Sequence, residues 1–375
     1  MRNGSWTIRF LYLTAIVAAV ALLPIVGPPD GDIVLFLNPW MAEIRARGLG
    51  SIAGEFSAYT PPYIYLLNLA SLLEPLVGTV AAIKLVNVPF VVALALGVGR
   101  IVSLFEPDKG SLSVAVALVS PTTLVNAFAW GQADAIYACF LVWCVYFAMS
   151  DRFDACAIMF GIALSFKLQA MFLAPLIMVF VIRRQLSVRA LMLIPLVYLV
   201  MMLPAALAGR PWKDLLVVYI GQADVMHDLS MNSPNPWWFA RGAGVDYQTG
   251  VVIGLVLGAI AGILIVIASL KRERSPISIL LIAAVCVAVM PYVLPKMSSR
   301  YFFVADMLMV ALAFARPALW PVAVMIQLGS LIAYVSYFTP YGTATSAFVP
   351  MTFGVILLVH FALSYRPRSV SALGA

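Results

Sequence analysis

The sequence predicts an all-α polytopic membrane protein with a bundle of about twelve transmembrane helices. Of its 375 residues, 63% are hydrophobic and only 10% are charged, and the mean hydropathy is +1.02. No water-soluble core needs that much apolar surface, so a soluble globular protein is excluded. Because a helix needs roughly 20 apolar residues to cross a bilayer, the chain is long enough for about a dozen crossings in one domain, residues 1–375.

The basic residues predict the orientation of this bundle. The net charge is +7, but the charged residues are few and clustered, which excludes a nucleic-acid binder. Clusters at Arg183–Arg189, Lys271–Arg274, Arg316 and Arg366–Arg368 fall at the ends of alternate apolar segments. Since basic residues favour the cytoplasmic side, we expect both termini inside and an even number of crossings.

The apolar segments and the charge clusters together define the predicted crossings. They are residues 6–26, 79–102, 111–129, 135–150, 154–167, 168–182, 190–208, 249–270, 276–294, 301–316, 318–338 and 345–365. The stretches 27–78 and 209–248 become long outer loops. We interpret Thr60–Glu74 as an interfacial helix, with Tyr59, Tyr63 and Tyr65 at headgroup depth.

The outer face carries an unexpected number of cations. Nine of the 23 Lys and Arg residues lie on or near it: Arg45, Arg47, Lys84, Lys167, Arg210, Lys213, Arg241, Lys296 and Arg300. A passive outer surface does not need them, so this face is expected to bind an anionic partner.

The first outer loop opens with two carboxylates, Asp30 and Asp32, directly after the first helix. A carboxylate at the membrane boundary can take a proton from an attacking hydroxyl group, since partial desolvation raises its basicity. We take Asp32 as the first candidate base and Asp30 as the second. Asp and Gly are also common in turns, and an Asp-x-Asp pair can ligate a divalent cation, so both readings remain open.

Two further outward turns carry polar residues in apolar surroundings. Gln132 and Asp134 lie in Trp130–Tyr137, and Lys167 and Gln169 lie in the next turn. Asp134 suits a helix cap as well as a functional site. An unpaired Lys167 would be costly, so either Asp134 or an anionic ligand is expected to neutralise it.

The last outward turn contains Lys296, Arg300 and Tyr301, and two cations four residues apart suit a phosphate group. Snorkelling to lipid headgroups is the alternative. The second long loop contains Asn232, Asn235 and Trp237. Amides beside indole rings are expected where sugars bind, although interfacial tryptophans also anchor proteins in membranes.

Six motifs in this order resemble the bacterial integral-membrane GT-C glycosyltransferases, particularly the branch related to GPI mannosyltransferase II. They are the acidic first loop with Asn38-Pro39-Trp40, Tyr59-Thr60-Pro61-Pro62-Tyr63, Trp130-Gly131-Gln132-Ala133-Asp134, Leu164–Pro175, Asn232-Ser233-Pro234-Asn235-Pro236-Trp237, and Leu294–Phe302. The family reads Met-His-Glu-Arg-Tyr-Phe in the last motif, whereas this chain has Ser298 and Ser299 in place of His and Glu. That departure bears on which donor or acceptor is used.

The resemblance implies a GT-C-like fold in the bacterial inner membrane and an inverting transfer of a sugar, such as a hexose, from a polyprenyl-phosphate donor. The acceptor would be a lipid, a glycan or a protein on the outer side. Asp32 would act as the base, and Tyr59, Gln132, Asp134, Lys167, Gln169, Asn232, Asn235, Trp237, Lys296, Arg300 and Tyr301 would bind substrate. A divalent cation would assist such a reaction without being obligatory, since cations of the protein already face the phosphate.

Two other function classes use the same residues. A transporter or lipid flippase would place ionisable groups near the middle of several helices, and here Lys84 and Asp306 are the main candidates. A noncatalytic scaffold would tolerate loss of the acidic residues in the outer loops.

Overall fold

The computed structural model describes residues 2–29, 31–223, 227–339 and 344–365, and it confirms an all-α chain. The helices are α1 (Arg2–Leu22), α2 (Asn38–Arg47), α3 (Pro61–Val77), α4 (Thr79–Leu85), α5 (Val88–Ser103), α6 (Gly110–Val119), α7 (Pro121–Leu124), α8 (Asp134–Met149), α9 (Phe153–Phe166), α10 (Ala174–Ile182), α11 (Val188–Leu207), α12 (Trp212–Ala223), α13 (Trp237–Gly242), α14 (Tyr247–Leu270), α15 (Pro276–Val293), α16 (Phe303–Ala315), α17 (Trp320–Phe338) and α18 (Ala344–Ser364). Short 3₁₀ or π-helical turns cover Ile33–Leu37, Gly48–Ala53, Pro107–Lys109, Val125–Ala129, Leu168–Leu173, Ser299–Phe302 and Pro317–Leu319. The strands β1 (Ser230–Met231) and β2 (Met297–Ser298) complete the described elements.

The predicted number of twelve crossings is not confirmed. Within the described residues, six helices are long and apolar enough to span a membrane: Thr79–Ser103, Val188–Leu207, Tyr247–Leu270, Pro276–Val293, Pro317–Phe338 and Ala344–Ser364. The segments Pro107–Val119 and Pro121–Ala129 would make a seventh span, with a bend of 48°. The other predicted spans contain shorter apolar helices: Trp6–Leu22 within α1, Asp134–Met149, Phe153–Phe166, Leu168–Ile182 and the 13-residue α16. The structure therefore supports a multi-pass membrane protein with six or seven long apolar helices.

Helix α16 explains why apolar composition overestimates the number of crossings. It has 13 residues, all of them buried, and it packs against α5, α8, α15 and α17. A helix that is apolar all round is a core helix as readily as a membrane span. The hydrophobic character of α16 therefore serves the interior of the protein.

The two long loops predicted on the outer side contain helices, as expected. Residues 27–78 include α2 and α3, and residues 209–248 include α12 and α13. The tyrosine row is not at a free surface, however. Tyr63 is only 3% exposed, and the Tyr65 hydroxyl accepts a hydrogen bond from the Ala205 N–H at 3.0 Å. Tyr63 lies on the buried face of α3, and Tyr65 contacts α11, so both side chains contact other parts of the protein.

A short parallel ladder joins the second loop to the turn after α15. Ser230 pairs with Met297, Met231 pairs with Ser298, and Asn232 forms a further bridge with Ser298. The Leu229 carbonyl also accepts a hydrogen bond from the Lys296 N–H at 2.8 Å. This ladder places the second loop beside the turn that carries Arg300.

Candidate active site

Four segments that are far apart in the sequence bring their charged side chains together. Asp32 follows α1, Asp134 begins α8, Lys167 separates α9 from the turn before α10, and Arg300 lies in the turn before α16. Arg300 Nη1 lies 2.8 Å from Asp32 Oδ2, and Arg300 Nε lies 3.6 Å from Asp134 Oδ2. Lys167 forms an ion pair with Asp134 Oδ1. We name these four residues the charged cluster.

One oxygen of Asp32 is heavily engaged, and the other is not. Oδ2 accepts hydrogen bonds from Trp130 Nε1 at 2.9 Å, from Gln132 Nε2 at 2.7 Å and from Arg300 Nη1. Within the described part of the chain, Oδ1 has no hydrogen bond, and the Asp32 side chain is 24% exposed. Asp32 therefore presents one carboxylate oxygen that a ligand can reach.

Asp134 and Lys167 form the buried half of the charged cluster, with side-chain exposures of 0% and 3%. Asn126 Nδ2 donates to Asp134 Oδ2 at 3.1 Å. Ala133, not Asp134, is the N-cap residue of α8, and the hydrogen bonds of the Asp134 carboxylate among the described residues come from Asn126 and Lys167. The sequence predicts that Asp134 or an anionic ligand neutralises Lys167, and in the structure Asp134 forms the ion pair with it.

Aromatic rings surround both cations. Lys167 Nζ lies 5.5–5.6 Å from the ring centroids of Tyr59, Tyr137 and Tyr301, and the Arg300 guanidinium lies 5.5 Å from that of Trp130. Such contacts stabilise a cation that has lost its water, so the rings help to keep both charges buried.

The electrostatic environment fixes the protonation of Tyr59 and Arg300. Burial raises the pKa of the Tyr59 hydroxyl to about 12, and the neighbouring Arg300 only partly offsets this effect. Burial by itself would lower the pKa of Arg300, but the carboxylates of Asp32 and Asp134 keep that pKa well above its ordinary value. At neutral pH Tyr59 can therefore donate a proton in a hydrogen bond, and Arg300 is a permanent cation.

Two glycines allow the backbone to approach closely here. Gly131 has a φ of +73°, a left-handed conformation that favours glycine, and it lies between the two donors to Asp32. A Cβ at Gly31 would lie 2.2 Å from Tyr337 Oη, the atom that accepts a 2.7 Å hydrogen bond from the Asp32 N–H. Small residues at both places thus position Asp32.

Lys84, on α4, binds backbone carbonyls of two segments that lead to the charged cluster. Its Nζ donates to the Leu22 carbonyl at 3.1 Å, the Ile25 carbonyl at 2.5 Å and the Ala129 carbonyl at 3.0 Å. The side chain is fully buried. Lys84 therefore connects the end of α1, which leads to Asp32, with the segment that leads to Trp130.

The predicted sugar-binding residues of the second loop contact backbone carbonyls near the end of α15. Asn235 Nδ2 donates to the Pro291 carbonyl at 3.1 Å, and Trp237 Nε1 donates to the Val293 carbonyl at 2.6 Å. Asn232 has a φ of +54° beside the β1–β2 ladder. These contacts hold the loop in place, and a role in sugar binding stays a prediction.

Lys296 is not joined to the charged cluster by any contact found among the described residues. Its Nζ donates to the Tyr247 hydroxyl on α14 and lies 5.1 Å from that ring. The prediction that Lys296 and Arg300 share one phosphate therefore has no direct contact to support it. Tyr301, by contrast, lies in the cluster through its contacts with both Lys167 and Arg300.

Two further predicted site residues are Gln169 and Asp30. Gln169 Oε1 is buried and has no hydrogen-bond partner among the described residues, so it remains an available acceptor. Asp30 lies outside the described residues.

The described residues offer little support for a divalent cation. No three of their His, Cys, Asp or Glu side chains form a group that could hold a metal ion. Arg300 also donates to Asp32 Oδ2, and its positive charge disfavours a divalent cation on that oxygen.

The sequence interpretation missed two contributors to this site. Tyr337, near the end of α17, binds the Asp32 N–H and stacks on Trp130 with a centroid distance of 4.1 Å. Asn126, in the π-helical turn before Trp130, binds Asp134. The only available signals were an amide within an apolar stretch and a Tyr334–Tyr337–Phe338 group at a helix end.

Two grooves lie away from the charged cluster. One, of about 590 Å³, is lined by Leu23, Pro24, Asn38, Arg45 and residues 77–81. The other, of about 350 Å³, lies between α14 and α15 and is lined by apolar residues such as Trp237, Leu257 and Ile260. Asp32, Lys167 and Arg300 line neither groove.

Comparison with protein-family models and with curated proteins gives no match for this chain.

Proposed function

We propose that the charged cluster transfers a sugar, a hexose such as mannose, from a polyprenyl-phosphate donor to a lipid, glycan or protein acceptor on the outer face of the membrane. The proposal rests on the hydrogen bonding of the two carboxylate oxygens of Asp32. One of its oxygens is fixed by Trp130, Gln132 and Arg300, and the other is unbonded within the described residues at a partly exposed position. This is the arrangement that an oriented general base requires.

In the proposed reaction, the acceptor hydroxyl attacks the anomeric carbon of the donor sugar from the side opposite the phosphate. The bond from that carbon to the phosphate oxygen breaks, so the configuration inverts and the polyprenyl phosphate leaves with the bonding electrons. Asp32 Oδ1 takes the hydroxyl proton. Arg300, a cation at the edge of the cluster, would stabilise the negative charge on the phosphate.

The neighbouring residues have supporting roles in this proposal. Asp134 and Lys167 neutralise each other, so Lys167 would position Asp134 and, through it, Arg300, rather than bind phosphate as a free cation. The Tyr59 hydroxyl, which stays protonated, and the Gln169 carbonyl oxygen offer a donor and an acceptor for sugar hydroxyls.

The test is a transfer assay with membranes from cells that express the chain. The membranes are incubated with a panel of polyprenyl-phosphate hexoses and pentoses labelled in the sugar, and the glycosylated product is measured by mass. We expect Asp32→Ala and Asp32→Asn to lower the transfer rate by about 10²–10⁴-fold, the usual contribution of a general base. Membrane insertion and expression should be unchanged.

Glu55→Gln is the matched control, because Glu55 is an exposed carboxylate of the same loop. It should retain the parental rate. Full activity of purified Asp32→Ala with a polyprenyl-phosphate sugar would rule out this mechanism.

A further inference from the structure

A second buried carboxylate lies outside the charged cluster. Asp306, in the first turn of α16, is 0% exposed. None of the ion pairs found in the described residues includes it. A carboxylate in a protein interior inside a membrane is costly unless it carries a proton or meets a positive charge.

Neutral oxygen atoms surround Asp306. Ser330 Oγ, on α17, donates to Asp306 Oδ1 at 2.9 Å. Gln327 Nε2, also on α17, donates to the Asp306 backbone carbonyl at 3.3 Å. Thr122 Oγ1 and Ser120 Oγ both contact Gln327 Oε1, at 3.0 and 2.9 Å. These five side chains form one contiguous group, which we name the Asp306 group.

The Asp306 group contains an acceptor with no donor. Asp306 Oδ2 is buried and has no hydrogen-bond partner among the described residues. Almost all buried polar atoms in proteins are paired, and leaving one unpaired destabilises the folded state. A positively charged partner at Oδ2 would balance the charge of Asp306, the group's only carboxylate.

The break between α6 and α7 is a second, independent observation that favours a ligand site here. Ser120 has a φ of −53° and a ψ of 127°, and it separates α6 from α7 where the chain bends by 48°. Irregular backbone at membrane depth occurs where protein buries it or where it lines a cavity, and discontinuous helices commonly coordinate monovalent cations. The break places the hydroxyls of Ser120 and Thr122 next to Gln327, which itself bonds to the backbone of Asp306.

We propose that the Asp306 group is a binding site for a monovalent alkali cation, with Asp306 as its one anionic ligand. Carboxylate, hydroxyl and amide oxygens are hard ligands that suit such ions. One negative charge matches one positive charge, and the described residues hold no cluster of three acidic or other metal-ligating side chains that a divalent ion would favour. Na⁺ is the first ion to test, because unwound segments of discontinuous helices coordinate Na⁺.

A cation in this site would hold α16 and α17 together, and α17 also contacts Trp130 beside the charged cluster. Gln327, Ser330 and Tyr334 lie on one face of α17 at helical spacing, and the Tyr334 ring contacts Trp130 at 5.7 Å. A bound cation therefore stabilises the packing of these helices, whatever reaction the charged cluster performs.

The test uses the purified full-length protein in a neutral detergent. Thermal unfolding is followed while NaCl replaces choline chloride at constant ionic strength, with KCl in a parallel series. We expect the unfolding midpoint of the parent to rise with Na⁺ and to saturate, since a ligand that binds only the folded state stabilises it by mass action. Asp306→Asn should abolish this response.

Ser330→Ala should raise the half-saturating Na⁺ concentration by about tenfold, which corresponds to about 1.4 kcal/mol of binding free energy. Ser336→Ala is the matched control on the same helix, because within the described residues the Ser336 hydroxyl bonds to its own helix, at the Ala333 carbonyl. It should respond to Na⁺ as the parent does. A response to K⁺ that exceeds the response to Na⁺ would support the site and correct its selectivity.

Binding of radiolabelled sodium provides the direct measurement. Stoichiometric binding by the parent and its loss in Asp306→Asn would support the site. If Asp306→Asn does not fold, weaker binding by Ser330→Ala and Thr122→Val carries the same meaning. Equal unfolding midpoints in choline, Na⁺ and K⁺, together with equal sodium binding by parent and variants, would overturn the proposal and leave Asp306 as a neutral carboxylic acid.

Discussion

At the residue scale, the ion pair between Lys167 and Asp134 shows how a membrane protein keeps charge in its interior. Both side chains are almost completely buried, with further contacts from Asn126, Arg300 and three tyrosine rings. Such a pair adds little to stability compared with apolar residues, but removal of one partner is costly because the other is left buried and charged.

We therefore predict that Lys167→Met lowers the free energy of unfolding by about 3–5 kcal/mol. The double variant Lys167→Met with Asp134→Asn should recover most of this loss, because neither charge then remains unpaired. The free energies of unfolding are measured by denaturant unfolding of the purified parent, single and double variants. Equal losses in the single and double variants would show that the pair does not act as a unit.

The charged members of the site could be predicted from the sequence because charge is rare in this chain. Asp32, Asp134, Lys167 and Arg300 interrupt apolar stretches, and the cost of burying each charge makes it conspicuous. Tyr337 could not be predicted in the same way. It is one of 15 tyrosines, and a tyrosine at a helix end is also typical of a membrane interface. Only the fold brings its hydroxyl to the Asp32 backbone.

At the element scale, helix boundaries could be predicted to within a few residues. The predicted span 249–270 corresponds to Tyr247–Leu270, and 276–294 corresponds to Pro276–Val293. Which of these helices face lipid could not be predicted. The all-buried α16 and the exposed α14 have similar apolar sequences, so the difference arises from tertiary packing rather than from local composition.

Three buried glycines of α14, Gly250, Gly254 and Gly258, leave room for neighbouring side chains, and Gly254 packs against the turn that leads to Arg300. A Cβ at Gly254 would lie 2.5 Å from Pro295 Cδ and 2.7 Å from Trp237 Cζ2. We predict that Gly254→Ala lowers the free energy of unfolding by about 1–3 kcal/mol, the usual cost of overpacking. Thermal unfolding of the purified variant measures this effect.

Gly262→Ala on the same helix is the control, because its nearest contact would be Pro175 Cγ at an ordinary 3.8 Å. This change should be neutral or stabilise the helix by up to about 1 kcal/mol, since alanine has the higher helix propensity. Comparable destabilisation by the two alanines would exclude close packing as the reason for Gly254.

At the scale of the whole molecule, the predicted orientation can be tested with the native cysteines in place. All four, Cys139, Cys144, Cys156 and Cys286, are buried, so they should not react with a membrane-impermeant maleimide. A cysteine at an exposed position then reports which side of the membrane that position faces. The orientation itself rests on the distribution of basic residues.

We predict that Lys213→Cys is labelled in intact cells and that Lys271→Cys is labelled only after the membrane is permeabilised. Both native residues are exposed, and the long apolar α14 lies between them. Labelling of both positions in intact cells would contradict the predicted orientation and would also remove α14 as a crossing.

The β1–β2 ladder, though only two residues long in each strand, has a mechanical consequence. It ties the backbone of residues 230–232 to the backbone just before Arg300, and Asn235 and Trp237 fasten the same loop to the end of α15. A molecule that displaces this loop must therefore drag the guanidinium with it. Binding at the second loop would then change the ion pair between Arg300 and Asp32.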